Sequence, residues 1–164
     1  MDTFYENMMN TYPIIFATYA YCLLPNHFHF LVGVKENHAI DDLSHLVSEQ
    51  FRRFFIGYSQ AINKQEKRTG SLFQKGFKRI YIDSQEHLLY LVYYIHANPQ
   101  NHDIVEDFRK YEYSSYARML LDKPAELQKR EVLEWFGSKS YYVEFHDDIQ
   151  DLKAIDRYMI EDEE

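Results

Sequence analysis

Two early stretches of the chain alternate their side chains in the manner of β-strands. Residues 14–24 and 27–34 are rich in aromatic and β-branched side chains, and only residues 25–26 separate them, which predicts two strands joined by a tight turn. Side chains alternate faces along a strand, so His27 and His29 should project together. Two imidazoles on one face are two ligands of a divalent-metal site. Half-buried strands also carry histidines for packing, and the pair alone leaves both interpretations open.

In most of the remaining chain, apolar residues recur with the spacing of an α-helix. Residues 41–63 place apolar side chains three and four positions apart, which predicts an amphipathic helix. A second helix is predicted to begin after Asp83 or Ser84, either of which can cap it, and to end at Pro99. The other predicted elements are a helix at 4–10, a strand at 72–82 and helices at 113–121, 126–136 and 147–159.

One face of the second predicted helix carries candidates for chemistry. Tyr90, Tyr94 and Asn98 are spaced four residues apart, so they share a helical face. The chain has 15 tyrosines, and most tyrosines in proteins serve as amphipathic packing residues. The spacing by itself therefore does not single out a nucleophile.

Composition bounds the class of protein. The 164 residues, 46% of them apolar and 17% aromatic, suffice for one domain with a real core, or for one domain with an appendage. The single cysteine, Cys22, excludes a disulfide framework and a cysteine-rich zinc site. No secretory signal is visible, and the longest apolar stretch, residues 12–24, is too short to cross a bilayer. We expect a cytoplasmic protein with no membrane partner.

Charge is distributed unevenly along the chain. The net charge is −8, which by itself argues against a nucleic-acid partner. However, residues 51–79 contain eight basic residues and one acidic residue, whereas residues 144–164 contain nine acidic and two basic residues. The basic segment indicates a locally attractive surface for phosphates, although a merely solvated surface fits it as well. The candidate DNA contacts are Arg52, Arg53, Lys67, Arg68, Lys75, Lys78 and Arg79.

Four separate motifs, in a fixed order, carry a resemblance to a known family. They are residues 20–29 (AYCLLPNHFH), 70–78 (GSLFQKGFK), 94–99 (YIHANP) and 113–116 (YSSY). The chain resembles the single-tyrosine HUH transposases, specifically the REP-associated tyrosine transposases of the insertion-sequence-200-like class. The resemblance covers roughly residues 14–121. It implies an endonuclease and strand transferase that binds single-stranded hairpin DNA.

The resemblance also implies roles for individual residues. Tyr94 corresponds to the nucleophile that forms a 5′-phosphotyrosine, and His27 and His29 correspond to the metal-binding histidines. Asn98 occupies the position of a third metal ligand. Oxygen and imidazole ligands with open positions suit Mg²⁺ or Mn²⁺. The target sequence is not implied, and a homodimer stays open.

The order of the predicted elements and the resemblance both indicate an α+β fold. We expect a ferredoxin-like antiparallel sheet with helices on one face, its first strand missing because relatives begin further upstream. The expected division is a catalytic domain at 1–121 and a helical, acidic C-terminal extension at 122–164. Two alternatives remain: a catalytically inactive DNA-binding remnant or domesticated transposase, and a metal-site protein of unrelated function.

Overall fold

A computed structural model of the protein describes residues 16–34, 43–74 and 78–148. These residues form two compact units, one of residues 16, 34, 43–74 and 78 and one of residues 17–33 and 79–148. The predicted helix at 4–10, Lys75 and the acidic tail from residue 149 lie outside the described residues. No helix in the described ranges has the length and apolarity that crossing a membrane requires. The predicted domain boundary at residue 121 stays a prediction.

The strand pair forms as predicted. Strands β1 (Phe16–Leu23) and β2 (Phe28–Val34) make a two-stranded antiparallel sheet, which confirms the expected α+β class. The Leu24 amide donates to the His27 carbonyl at 2.9 Å and closes the two-residue turn. Side chains of β1 are largely buried, because apolar residues and Thr18 line both of its faces.

The other edge of β1 is covered by segments from the C-terminal half of the chain. The Leu23 amide donates to the Tyr113 carbonyl, and the Ser115 amide donates to the Tyr21 carbonyl, both at 2.9 Å. Isolated bridges pair Cys22 with Ser114 in antiparallel fashion and Thr18 with Leu127 in parallel fashion. These bonds satisfy backbone groups that an exposed edge would leave open to other chains.

The first unit is organised by α1 (Leu43–Gln65). Phe54 is its buried anchor, and the Phe73 ring packs 4.9 Å from the ring of Phe55 and 6.0 Å from that of Tyr58. The strand predicted at 72–82 is wrong in its described part, since residues 71–74 and 78–82 have no strand geometry. Phe73 is held by the helix, and Tyr81 is 88% exposed, so the alternating pattern does not correspond to a sheet face.

The second unit contains the tyrosine helix, α2 (Gln85–Asn101). Ser84 caps it, as predicted, by accepting a hydrogen bond from the His87 amide at 3.2 Å. The predicted end at Pro99 is wrong, because Pro99 lies inside the helix. A proline removes one helical hydrogen bond, but the next turn is held by the His102 amide, which donates to the Asn98 carbonyl at 3.0 Å. The chain leaves the helix at Asp103, which has a φ of 54°.

The described part of the second unit also contains a 3₁₀ turn (Phe108–Lys110) and three further α-helices: α3 (Tyr116–Leu120), α4 (Lys129–Trp135) and α5 (Lys139–Asp148). The first two lie within the predicted helices at 113–121 and 126–136. The helix predicted at 147–159 lies almost entirely outside the described residues, and the sequence analysis did not predict α5. Gly137, with a φ of 83°, separates α4 from α5, and the Ser138 hydroxyl then accepts from the Tyr141 amide at 3.1 Å. That Gly-Ser pair was the missed signal in the sequence.

Candidate active site

The histidine pair lies where the hairpin enters β2. The rings of His27 and His29 are 5.1 Å apart, centroid to centroid, and meet edge to face. On the opposite face, the rings of Phe28 and Phe30 are 5.3 Å apart. The predicted division of this strand into a histidine face and an aromatic face is therefore confirmed.

Tyr94 of α2 lies against the histidine face. Its ring centroid is 5.6 Å from that of His29, at an interplanar angle of 76°, and the residue is 8% exposed. Both residues belong to the second unit. The structure thus brings Tyr94 into contact with the histidine pair, from which it is distant in the sequence.

Asn98 lies one turn after Tyr94 on α2. It is fully buried, and within the described part of the chain neither its Oδ1 nor its Nδ2 has a hydrogen-bond partner. A buried amide without partners costs about 1–3 kcal/mol, so native proteins rarely retain one without a reason. A ligand that takes up the amide oxygen would supply such a reason.

His102 is a further residue of this cluster that the sequence analysis missed. Its ring centroid is 5.1 Å from that of His27, at an angle of 74°, and it stands at the C-cap of α2. The signal was present in the spacing, because Tyr94, Asn98 and His102 follow one another at intervals of four. Ending the helix at Pro99 had placed His102 in a loop.

The donor atoms suit a hard divalent cation. Two imidazoles and an amide oxygen are ligands that Mn²⁺ and Mg²⁺ accept, with open positions left for phosphate and water. Across residues 16–34, 43–74 and 78–148, no three His, Cys, Asp or Glu side chains lie close enough together to hold a metal. Burial raises the pKa of Cys22 to about 12, so this residue is not a thiolate ligand. The imidazoles of His27 and His29 and the unpartnered amide of Asn98 are donor types that fit the ion that the resemblance implies.

A second histidine pair is buried on the other side of α2. His96 Nδ1 lies 3.0 Å from His146 Nε2, and His96 Nε2 lies 2.7 Å from the Ser115 hydroxyl. His146 Nδ1 must donate to the Tyr142 carbonyl, 2.7 Å away, because a carbonyl only accepts. Consequently His96 Nδ1 donates to His146, and Ser115 donates to His96. Both imidazoles are neutral in this arrangement.

The pKa values of this buried pair agree with the proton assignment. Burial, followed by the charge of His146, holds the pKa of His96 well below its usual value. Burial lowers the pKa of His146 to about 4, although its hydrogen bond to Tyr142 and the charge of Asp147 oppose the change. This pair is a structural element of the core and was not singled out by the sequence.

The candidate DNA contacts lie in both units. Arg52 and Arg53 are exposed on α1, where Arg52 bonds Glu49 through two nitrogens at 2.8 Å and Arg53 lies 4.0 Å from the same carboxylate. Lys67 and Arg68 follow the end of α1 and are exposed, as is Lys78. All five belong to the first unit, and exposed Arg79 belongs to the second. Glu49 therefore offsets part of the positive charge on α1.

Sequence comparison identifies the class of protein to which the chain belongs. A curated protein of Haemophilus influenzae, named "Putative REP-associated tyrosine transposase", is 32% identical over 141 residues, which are 82% of this chain and 73% of that protein. No protein-family model and no solved structure matches the chain. The class is that of the tyrosine transposases. The chain belongs to the REP-associated tyrosine transposase family, as the motifs of its sequence implied.

Proposed function

We propose that the protein cleaves and rejoins single-stranded DNA through a covalent bond to Tyr94. The observation that carries this proposal is the contact between the histidine strand and the tyrosine helix, with the rings of His29 and Tyr94 5.6 Å apart. Fifteen tyrosines are present, but the motif position and this contact distinguish Tyr94 from the others. The family assignment supports transposase chemistry in general.

In the proposed reaction, the Tyr94 hydroxyl oxygen attacks a backbone phosphorus of the DNA. A bond between that oxygen and phosphorus forms, and the bond from phosphorus to the 3′-oxygen breaks. The 3′-oxygen leaves with a proton as a free hydroxyl, and the phenolic proton passes to water. The 5′-phosphotyrosine conserves the ester bond, so a second 3′-hydroxyl can attack it and release Tyr94. No nucleotide cofactor is consumed.

The remaining site residues position and polarise the phosphate. His27, His29 and Asn98 would hold a Mg²⁺ or Mn²⁺ ion, which when bound neutralises phosphate charge and polarises the phosphorus centre. The buried setting of Tyr94 fixes the direction of its ring, because the helix on either side of it is fully packed. A fixed nucleophile next to a fixed phosphate makes the attack effectively unimolecular.

We assign hairpin-bearing single-stranded DNA as the substrate class. Exposed cations at Arg53, Lys67, Arg68, Lys78 and Arg79 can contact backbone phosphates without reading sequence. Such contacts make affinity fall with rising salt. Because the net charge of the chain is −8, exposed cations such as these are necessary for any DNA complex.

Covalent trapping tests the proposal directly. Purified protein is mixed with labelled single-stranded hairpin DNA from the flanks of its own gene and with Mn²⁺, then separated on a denaturing gel. We expect a labelled band at the mass of the protein that disappears with EDTA and in Tyr94→Phe. Tyr90→Phe is the matched control, because Tyr90 lies one turn earlier on α2 and packs against Phe145.

The outcomes separate the alternatives. An adduct that persists in Tyr94→Phe would remove Tyr94 from the chemistry. Hairpin binding without any adduct from wild-type protein would instead identify an inactive DNA-binding remnant. Absence of both binding and adduct would refute the assignment of hairpin DNA as the substrate.

A further inference from the structure

The turn that precedes the histidine strand makes a side-chain hydrogen bond to the first histidine. Asn26 Oδ1 lies 2.7 Å from His27 Nδ1. A carbonyl oxygen of an amide can only accept, so Nδ1 carries the proton. A neutral imidazole has one N–H, and its Nε2 therefore keeps a lone pair. The bond selects the tautomer in which Nε2 is the nitrogen able to bind a metal ion.

A positive φ does not account for asparagine at this position. Asparagine is common in tight turns because it tolerates positive φ. Among the described non-glycine residues, however, only Lys67 and Asp103 have positive φ, so Asn26 does not. The turn is closed by the backbone bond between Leu24 and His27, which does not involve the Asn26 side chain. The hydrogen bond to His27 is thus the role that the acceptor oxygen of Asn26 has here.

We propose that Asn26 is a positioning residue that orients His27 for metal binding. This inference rests on the proposed function, in which His27 is a metal ligand. Hydrogen bonds from a ligating histidine to a carbonyl or carboxylate fix the ring and its tautomer, and their loss typically weakens metal binding roughly 10- to 100-fold. The His102 ring, 5.1 Å from that of His27, packs edge-on against the same imidazole and limits its rotation further.

Metal binding without DNA separates this inference from catalysis. Mn²⁺ affinity of the full chain is measured by the electron paramagnetic resonance signal of free Mn²⁺ for wild type and variants. We expect Asn26→Ala to bind roughly 10- to 100-fold more weakly, and Asn26→Asp, which keeps an acceptor, to bind at least as tightly as wild type. Gln60→Ala removes an exposed amide on α1 and should leave the affinity unchanged.

The tautomer gives a second readout that needs neither metal nor activity. Nitrogen chemical shifts of ¹⁵N-labelled histidine should show His27 protonated at Nδ1 in wild type and Asn26→Asp, and at Nε2 to a substantial fraction in Asn26→Ala. Unchanged affinity together with an unchanged tautomer in Asn26→Ala would overturn the inference. If His27→Ala binds Mn²⁺ as wild type does, the metal assignment fails instead, and the role of Asn26 fails with it.

Discussion

The buried pair His96 and His146 predicts a loss of stability in mild acid. In the folded protein the pKa of His146 is about 4, below its ordinary value of 6.5. Between these two values the folded protein binds fewer protons than the unfolded chain, so stability is full above pH 6.5 and is lost as the pH falls toward 4. The cause of the lowered pKa is burial. In addition, protonated His146 would point a second N–H at the N–H of His96, 3.0 Å away.

The size of the effect follows from the two pKa values. Each pKa unit corresponds to about 1.4 kcal/mol, so the titration of His146 is worth about 3 kcal/mol in total. About 2 kcal/mol of this falls between pH 7 and pH 5. His96, whose pKa is also lowered by burial, adds to the loss in the same direction. With a typical dependence of the unfolding free energy on urea, the urea concentration at which half of the protein is unfolded should fall by about 1 M between pH 7 and pH 5.

Urea denaturation of His146→Gln tests this reasoning. Glutamine fills much of the same space and does not titrate, so the fall in unfolding free energy from pH 7 to pH 5 should be about 2 kcal/mol smaller than in wild type. Gln60→Ala, which removes an exposed side chain that does not titrate, should keep the wild-type dependence. If His146→Gln loses stability as steeply as wild type, the buried pair is not the source of acid sensitivity.

Three further predictions, one of them with a matched control substitution, concern other features of the fold and site. Asn98→Leu should raise the unfolding free energy by about 1 kcal/mol, because it removes a buried amide without partners. The same substitution should weaken Mn²⁺ binding. A variant that is less stable than wild type in thermal melts would contradict the prediction. Gly33→Ala should lower the unfolding free energy, measured with urea, by about 1–3 kcal/mol, since a Cβ there would lie 2.6 Å from the Tyr19 ring. Gly57→Ala is the control and should not destabilise the protein, because the space around Gly57 is open. Ser84→Ala should cost about 1 kcal/mol by the same measurement through loss of the α2 cap, and an unchanged stability would show that the cap is not used.

The histidine face and the tyrosine helix were predictable because each depends on short-range periodicity. Alternation along β2 suffices to place His27 with His29, and the cap at Ser84 suffices to start α2. The contact between His29 and Tyr94 was not predictable in this way. It joins residues 65 positions apart, and only the family resemblance connected them beforehand.

The incorrect predictions of secondary structure lie where tertiary packing overrides the local sequence pattern. The alternating segment around Phe73 resembled a strand, but the aromatic surface of α1 takes up that ring. Pro99 resembled a helix end, but the surrounding burial and the hydrogen bonds after it carry the helix to Asn101. His96 gave no signal, because its partners at Ser115 and His146 come from distant segments.

Ser115 shows how the site is held in place by residues that take no part in the chemistry. Its amide donates to the Tyr21 carbonyl of β1, and its hydroxyl oxygen accepts from the Tyr21 amide, both at 2.9 Å. The same hydroxyl donates to His96 of α2 at 2.7 Å. β1 pairs with β2, the strand of the histidine face, and α2 carries Tyr94. By bonding both β1 and α2, Ser115 therefore connects the hairpin of the histidines with the helix of Tyr94. The position of Tyr94 relative to the histidines is therefore supported by a buried hydrogen-bond network.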